Sequence, residues 1–112
     1  MFTIVGSEAD RVRIRLNAGH RIYQAHFPGN PITPGVCIIQ MVGELTGARL
    51  GRQLLLSKVV NLKFVAPISP LEHPEIDVEF ASIDEQQNGE VKVRGTVVAG
   101  TDLMTKFSLM FV

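Results

Sequence analysis

His26 is a candidate general base because of the residues that follow it. Three prolines and two glycines within residues 28–35 would hold a rigid loop at the entrance of a predicted helix. Histidine changes charge near neutral pH, and the backbone N–H groups of Gly35 and Val36 in the first helical turn would favour developing negative charge. This combination suits removal of a proton next to a carbonyl group, with the two N–H groups stabilising the enolate-like oxygen.

The segment from His26 to Gly35 reads His-Phe-Pro-Gly-Asn-Pro-Ile-Thr-Pro-Gly and resembles the signature of the β-hydroxyacyl-[acyl carrier protein] dehydratases, members of the hotdog-fold superfamily. A weaker resemblance covers residues 61–70, where a strand leads into a proline turn. The resemblance implies an α+β hotdog fold, in which a curved antiparallel sheet of five to six strands wraps around one long central helix. Active sites in this family lie at a dimer interface, with the histidine from one subunit and a carboxylate from the other.

The resemblance also implies an activity and a substrate. The expected reaction is dehydration of β-hydroxyacyl thioesters, or hydration of enoyl thioesters, carried on acyl carrier protein in fatty-acid or related polyene or polyketide synthesis. His26 would act as the base, and Phe27, Gly35 and Val36 would contact the substrate. We therefore expect a lyase of the hydro-lyase type that needs no cofactor and no metal.

Gln40 is the position at which this sequence departs from the family pattern. The dehydratases carry Glu or Asp there, a carboxyl group credited with handling the hydroxyl and water, and usually Gln one turn later, where this chain has Glu44. Glutamine cannot deliver a proton, and loss of a general acid lowers the rate by about 10²- to 10⁴-fold. Because Glu44 shares a helix face with Gln40 and leans back toward it, Glu44 could replace the acid directly or through one water. In the alternative interpretation, Glu44 only ends the apolar stretch and pairs with an arginine such as Arg49.

Other reactive side chains lack a comparable setting. His20 and His73 are interpreted as non-catalytic, and His73 as a turn residue beside Pro74. Cys37 lies near the helix start, where the pKa of a thiol can fall, but its apolar neighbours favour a buried core cysteine.

The hydrophobic pattern predicts one long helix and up to six strands. Thr33 is the predicted N-cap and Pro34 the first helical residue of a helix that reaches about residue 49. Alternating apolar and polar residues predict strands at residues 2–5, 11–16, 59–65, 76–83, 91–98 and 104–111. Asp77 and Glu79 should face outward. Turns at residues 88–89 and 100–102 predict an antiparallel meander of the last three strands.

The predicted helix is apolar on almost every side at first, which favours burial all round. Gly43, Gly47 and Gly51 recur every four residues, and each glycine weakens a helix by about 1 kcal/mol relative to alanine. The row therefore predicts close packing on that face, with a frayed helix end as the alternative for Gly51. One sheet cannot cover the whole helix, so we expect a homodimer, or a heterodimer with a related dehydratase.

Length and composition exclude several classes of protein. The chain has 112 residues, which suits a single hotdog domain over residues 1–112, and its net charge of zero argues against a nucleic-acid binder. Cys37 is the only cysteine, which leaves no internal disulfide and no cysteine-based zinc site. Residues 22–43 carry no charge, but their prolines exclude a membrane span. With no visible secretory signal, a cytoplasmic location is expected.

Charge is unevenly distributed along the chain. Residues 45–71 hold four basic residues and no acid, whereas residues 72–112 hold eight acidic and three basic residues. Because acyl carrier proteins are acidic, the basic segment is a candidate docking surface, although a solvated polar face explains it equally well. Two further hypotheses stay open: a non-catalytic or half-site subunit that pairs with an active dehydratase, and a hotdog acyl thioesterase.

Overall fold

The computed structural model describes residues 1–27 and 29–112, so Pro28 of the predicted loop lies outside the described residues. The elements follow in the order β1 (Phe2–Ser7), β2 (Arg11–Leu16), α1 (Ile22–Ala25), α2 (Gly35–Leu50), β3 (Leu56–Phe64), β4 (Glu75–Glu85), β5 (Val91–Ala99) and β6 (Asp102–Phe111). Six strands and one long helix confirm the predicted α+β class. The short helix α1 is an element that the hydrophobic pattern does not predict.

The six strands form one antiparallel sheet in the order β1-β2-β4-β5-β6-β3. Strands β4, β5 and β6 are consecutive neighbours, which confirms the predicted meander. Their connections turn at Gly89 and Gly100, whose φ angles of 87° and 63° favour glycine. Register shifts in four of the five strand pairings bend the strands, and the sheet therefore curves around α2.

Helix α2 begins one residue later than the capping pattern predicts. Pro34 is the N-cap in extended conformation and Gly35 the first helical residue, because the hydroxyl of Thr33 is held by Tyr23 and caps nothing. The helix ends at Leu50, next to the predicted end. Gly51 follows in the left-handed conformation with φ 68°, and its N–H donates to the carbonyl oxygen of Gly47.

The core lies between α2 and the inner face of the sheet. Ile38, Met41, Val42 and Leu45 of the helix pack there against apolar residues from β2, β4, β5 and β6. The prediction of a helix buried all round is wrong for the single chain, because an exposed stripe runs along α2. The stripe comprises Val36, Gln40, Glu44 and Ala48. Among the described residues, no helix combines the length and apolarity needed to cross a membrane.

Gly43 and Gly47 allow close packing, whereas Gly51 ends the helix. A Cβ atom on Gly43 would come 2.9 Å from Cε1 of Phe111, and one on Gly47 would come 2.5 Å from the carbonyl oxygen of Arg52. These two glycines confirm the predicted close packing. A Cβ on Gly51 would meet open space, and this residue instead ends the helix.

The outer face of β2 and β4 carries an ion-pair ladder. Arg11, Arg13 and Arg15 lie opposite Glu79, Asp77 and Glu75 in register. Asp77 lies on the outer face as predicted, yet only 4% of its side chain is exposed because the arginines cover it. The hydrogen bond from Arg13 to Asp77, and then their opposite charges, raise the pKa of Arg13 above its usual value.

Candidate active site

The loop after α1 holds His26 by backbone hydrogen bonds. The N–H of His26 donates to the carbonyl oxygen of Ile22 at 3.1 Å, and its own carbonyl oxygen accepts the N–H of Ile32 at 2.8 Å. Phe27 and Asn30 exchange two further N–H···O bonds of 3.2 and 2.9 Å across the turn. The imidazole of His26 is exposed and contacts the edge of the Phe27 ring, with ring centroids 5.5 Å apart. The loop thus presents both rings to the outside of the chain.

Tyr23 fixes this loop to the start of α2. Its side chain is 3% exposed, and its hydroxyl lies 2.9 Å from the hydroxyl of Thr33, itself buried. The N–H of Thr33 donates to the carbonyl oxygen of Ile68 at 2.8 Å. Tyr23 is not among the residues predicted from the sequence, although an aromatic residue three positions before the candidate base was a usable signal. Tyr23 therefore connects α1, the His26 loop and the helix entrance.

The exposed stripe of α2 forms one wall of a groove of about 800 Å³, which we call the helix groove. Its other wall comes from the segment after the helix and from the end of β6, where Leu54, Leu55 and Phe111 contribute apolar surface. Val36, Gln40 and Glu44 all line this groove. The structure thus brings together three of the predicted site residues.

Glu44 forms no ion pair with another described residue. Arg49, the suggested partner, instead lies over the ring of Phe80, with its guanidinium carbon 5.3 Å from the ring centroid. The interpretation of Glu44 as half of a pair with Arg49 is therefore wrong. Its exposed carboxyl group stays available to the helix groove.

Gly35 and Val36 occupy the first turn of α2 as predicted. The first N–H groups of a helix have no partner within the helix, and these two remain potential donors for an oxyanion. Within one chain, the close neighbour of Gly35 is the ring of Phe64 on β3, against which a Cβ would collide. Phe64 is 52% exposed, so it stands between the helix entrance and the outside.

A second cavity of about 490 Å³ lies on the other side of Gln40 and Glu44, and we call it the His20 cavity. It is enclosed by the start of β1, by His20 and Ile22 near α1, and by a face of α2. Cys37 also lines it, and burial raises the pKa of this thiol above its usual value. Cys37 is half-buried, close to the predicted core cysteine, and it is poorly suited to act as a nucleophile.

The predicted residues therefore fall into two groups within one chain. Val36, Gln40 and Glu44 share the helix groove, whereas His26 and Phe27 line neither this groove nor the His20 cavity. Across residues 1–27 and 29–112, no group of three His, Cys, Asp or Glu side chains is arranged to hold a metal ion.

Comparison with known proteins places the chain in a family. Residues 5–101 match the family described as ApeI-like, ApeI dehydratase. The chain is 30% identical over 97 residues to the 3-hydroxyacyl-[acyl-carrier-protein] dehydratase FabZ of Caldanaerobacter subterraneus subsp. tengcongensis, covering 80% of this chain and 67% of the relative.

Solved structures share the fold. The dehydratase heterocomplex ApeI:P from Xenorhabdus doucetiae is similar with a TM-score of 0.63 at 18% identity, over 90% of this chain and 84% of that one. A thioesterase from Haemophilus influenzae gives a TM-score of 0.61 at 12% identity, over 98% and 76% of the two chains. At such identities the similarity shows the fold alone.

The antiparallel sheet curved around one helix is the hotdog fold, and the sequence His-Phe-Pro-Gly precedes that helix. The chain belongs to the ApeI-like dehydratase family. This membership confirms the resemblance stated from the motif, and it favours a dehydratase over the thioesterase hypothesis.

Proposed function

We propose that this chain catalyses the dehydration of β-hydroxyacyl thioesters on acyl carrier protein, and the reverse hydration of enoyl thioesters. The observation that carries the proposal is the helix groove, in which Gln40 and Glu44 form an exposed wall beside the first turn of α2. Membership in a dehydratase family supports the reaction type, and the named FabZ relative supports the carrier-bound substrate.

The proposed mechanism assigns one proton movement to each group. His26 takes the proton from the carbon next to the thioester carbonyl, and the N–H groups of Gly35 and Val36 stabilise the negative charge that develops on the carbonyl oxygen. Glu44 gives a proton to the β-hydroxyl group, which leaves as water while the double bond forms. Gln40, which can donate and accept hydrogen bonds but cannot supply a proton, orients the hydroxyl group or the departing water.

Separation of His26 from the helix groove supports sites shared between two chains. In one chain, Gln40 and Glu44 line the groove and the His26 imidazole lies outside it. A second chain whose loop enters the groove would bring its own His26 to Glu44. We therefore assign each site one histidine and one carboxyl group from different subunits.

Strand β3 offers the surface for such a pairing. Its only strand partner among the described residues is β6, so its other edge has free N–H and C=O groups. Val59, Val60 and Phe64 on this strand are 41%, 45% and 52% exposed. A second β3 added to this edge would pair the backbone groups, cover the apolar side chains and place the two α2 stripes close together.

Hydration of a short enoyl thioester by the purified chain tests the activity, followed as loss of enoyl absorbance. His26→Ala should abolish turnover, and Glu44→Gln should lower kcat by about 10²- to 10⁴-fold, the effect of a lost general acid. Glu85→Gln, an exposed substitution at the far end of β4, is the matched control and should leave kcat unchanged. Full activity in Glu44→Gln would exclude Glu44 as the acid.

Mixing two inactive variants tests whether sites are shared. In a mixed dimer of His26→Ala and Glu44→Gln chains, one of the two sites keeps both His26 and Glu44. Random exchange of an equal mixture should restore about a quarter of wild-type activity, because half of the dimers are mixed and each has one intact site. No restoration after verified exchange would place both groups in one chain.

Gln40 favours a second candidate function, a half-site subunit that works only with an active dehydratase. Such a chain would be inactive alone and would gain activity when mixed with its partner, an arrangement consistent with the ApeI:P heterocomplex among the similar structures. Gln40→Glu distinguishes the two. Strong activity of the isolated Gln40→Glu variant, with an inactive wild type, would contradict the half-site role.

The structure also revises the proposed carrier-docking surface. Of the four basic residues within residues 45–71, Arg49 lies over Phe80 and Arg52 donates to the carbonyl oxygen of Gly89. Lys58 and Lys63 instead lie on the outer face of β3, where register places them beside basic residues of β5 and β6. These are Lys92, Arg94 and Lys106.

This basic face contrasts with the self-neutralised ladder on β2 and β4. None of its five cations takes part in an ion pair with another described residue, and Lys63 lies directly opposite Lys106. Like charges in direct register destabilise a sheet, which favours a functional reason for their presence. We assign the face to the acidic carrier.

Charge reversal tests the docking surface. Lys63→Glu combined with Lys106→Glu should raise KM for carrier-bound substrate by about tenfold or more. It should also weaken or reverse the salt dependence of KM, because the charges that attract the acidic carrier are replaced by charges that repel it. A small carrier-free thioester should be turned over as before. The charge-preserving pair Lys63→Arg and Lys106→Arg is the control, and an equal effect on both substrates would exclude docking at this face.

A further inference from the structure

His20 shares a cavity with the two residues on which the proposed chemistry depends. The His20 cavity is lined by Gln40 and Glu44, which also line the helix groove, so these two side chains form the wall between the two spaces. His20 is partly buried and stands across the cavity from α2. Of the three histidines in the chain, it is the one that lines a space together with Gln40 and Glu44.

Hydrogen bonds fix both the backbone and the ring of His20. Its N–H donates to the carbonyl oxygen of Asn17 at 3.0 Å, and its carbonyl oxygen accepts the N–H of Tyr23 at 3.1 Å. The N–H of Ile22 donates to Nδ1 of the His20 ring at 3.2 Å. The ring is therefore held at the start of α1.

The bond to Nδ1 determines what the other ring nitrogen can do. A neutral imidazole carries one N–H and one acceptor nitrogen, and here Nδ1 is the acceptor. In the neutral ring the proton then resides on Nε2, which makes Nε2 a hydrogen-bond donor.

We propose that His20 is a positioning residue for Glu44. Its Nε2–H donates through a water molecule in the cavity to the carboxyl group of Glu44, and this bond holds the carboxyl group beside Gln40. A cavity of about 490 Å³ is large enough for bridging water, and its lining supplies the several polar partners that such a water needs. Such positioning by His20 compensates for the exchange of the carboxyl and amide side chains between positions 40 and 44, because Glu44 lies one helical turn beyond the position where the family carries its acid.

The catalytic consequence of this inference rests on the proposed function. Two substitutions of His20 distinguish a residue that positions Glu44 from one that only stabilises the fold. In His20→Asn, the side-chain oxygen can still accept the N–H of Ile22, while the Nε2 donor is lost. In His20→Gln, the amide N–H₂ can replace the Nε2 donor, while the acceptor for Ile22 is lost. The two variants thus each retain a different half of the imidazole.

Kinetics of the two variants give opposite outcomes for the two roles. For a positioning residue, His20→Asn lowers kcat about tenfold with little change in KM, and His20→Gln retains most of the wild-type kcat. For a residue that only caps α1, His20→Asn retains activity and His20→Gln loses it together with thermal stability. The second pattern, or wild-type kcat in both variants, would overturn the inference.

If the wild-type chain turns over no thioester, the proposed function is defeated but the positioning role of His20 is not. A measurement that does not depend on turnover then tests that role. In nitrogen-15 NMR of the imidazole rings, His20 should show the Nε2–H tautomer, and Glu44→Gln should shift its Nε2 signal. His73 is the internal reference and should not respond. An unshifted His20 signal in Glu44→Gln would refute the positioning role whatever the activity.

Discussion

Replacing Gly47 with alanine tests the close packing that positions the end of α2. The added Cβ would lie 2.5 Å from the carbonyl oxygen of Arg52, well inside van der Waals contact. That oxygen belongs to backbone whose own N–H donates to the carbonyl oxygen of Gly47 at 3.0 Å, so the clash cannot be relieved by turning a side chain. The turn after the helix must move instead.

The expected loss of stability combines three terms. Overpacking with backbone displacement costs about 1–3 kcal/mol, and loss of the capping hydrogen bond adds about 1 kcal/mol. Alanine in place of glycine within a helix returns about 1 kcal/mol. Gly47→Ala should therefore lower the free energy of unfolding by about 1–3 kcal/mol.

Urea unfolding at one fixed protein concentration measures this change, since subunit association shifts apparent stability. A loss of 2 kcal/mol lowers the midpoint by about 0.7–2 M at an m-value of about 1–3 kcal/mol per M. Ala48→Gly, at the next and exposed position, measures the local helix-propensity term as a control. A Gly47→Ala protein as stable as the wild type, or more stable, would refute the packing argument.

Two further predictions concern single buried hydroxyl groups. Burial raises the pKa of Tyr23 above its ordinary value of 10.0. Above about pH 10 the unfolded chain therefore loses the phenol proton while the folded chain keeps it, and the free energy of unfolding falls as the pH rises further. Tyr23 is the only tyrosine, so tyrosinate absorbance reports it directly, and an ordinary midpoint in the folded protein would contradict the prediction. Thr105 is fully buried, and its hydroxyl has no hydrogen-bond partner among the described residues, so Thr105→Val should raise the free energy of unfolding by about 1–2 kcal/mol. Thr46→Val, which removes a 2.7 Å bond to the carbonyl oxygen of Val42, is the matched control in the same denaturation assay and should show no such gain.

Local patterns predicted the elements that local interactions determine. The apolar alternation in β2 has the period of a half-buried strand, and the structure buries Val12, Ile14 and Leu16 there. The start of α2 after Pro34 and its end before Gly51 depend on the backbone preferences of these two residues. Both ends of the helix were predicted to within one or two positions. The order of the three strands in the meander was equally accessible, because short turns dictate which strands are neighbours.

The features that sequence did not predict arise from contacts between distant segments. Thr33 does not cap α2 because Tyr23, ten residues earlier, holds its hydroxyl. Asp77 is buried on an outer face because the arginines of β2 cover it, and no property of β4 alone indicates this. His20 had no informative neighbours in the sequence, and only the placement of α1 beside α2 brings it to the wall formed by Gln40 and Glu44.

The candidate site likewise contains residues that the sequence predicted and contacts that it did not. The motif identified His26, Gly35 and Val36 by residue type, and the family match supports the class of reaction. Whether Glu44 pairs with Arg49 depended on the path of the Arg49 side chain, which lies over the ring of Phe80 on β4.

The strand order has a consequence for synthesis on the ribosome. Strand β3 pairs with β6, and Phe111 at the end of β6 covers Gly43 of α2. At about 5–20 residues per second, the interval between completing β3 and completing β6 is about 2–10 seconds. During that time the apolar helix and an unpaired strand emerge together without their cover. We expect the nascent chain to need a chaperone in this interval, and slower translation of residues 65–111 to lower the yield of folded protein.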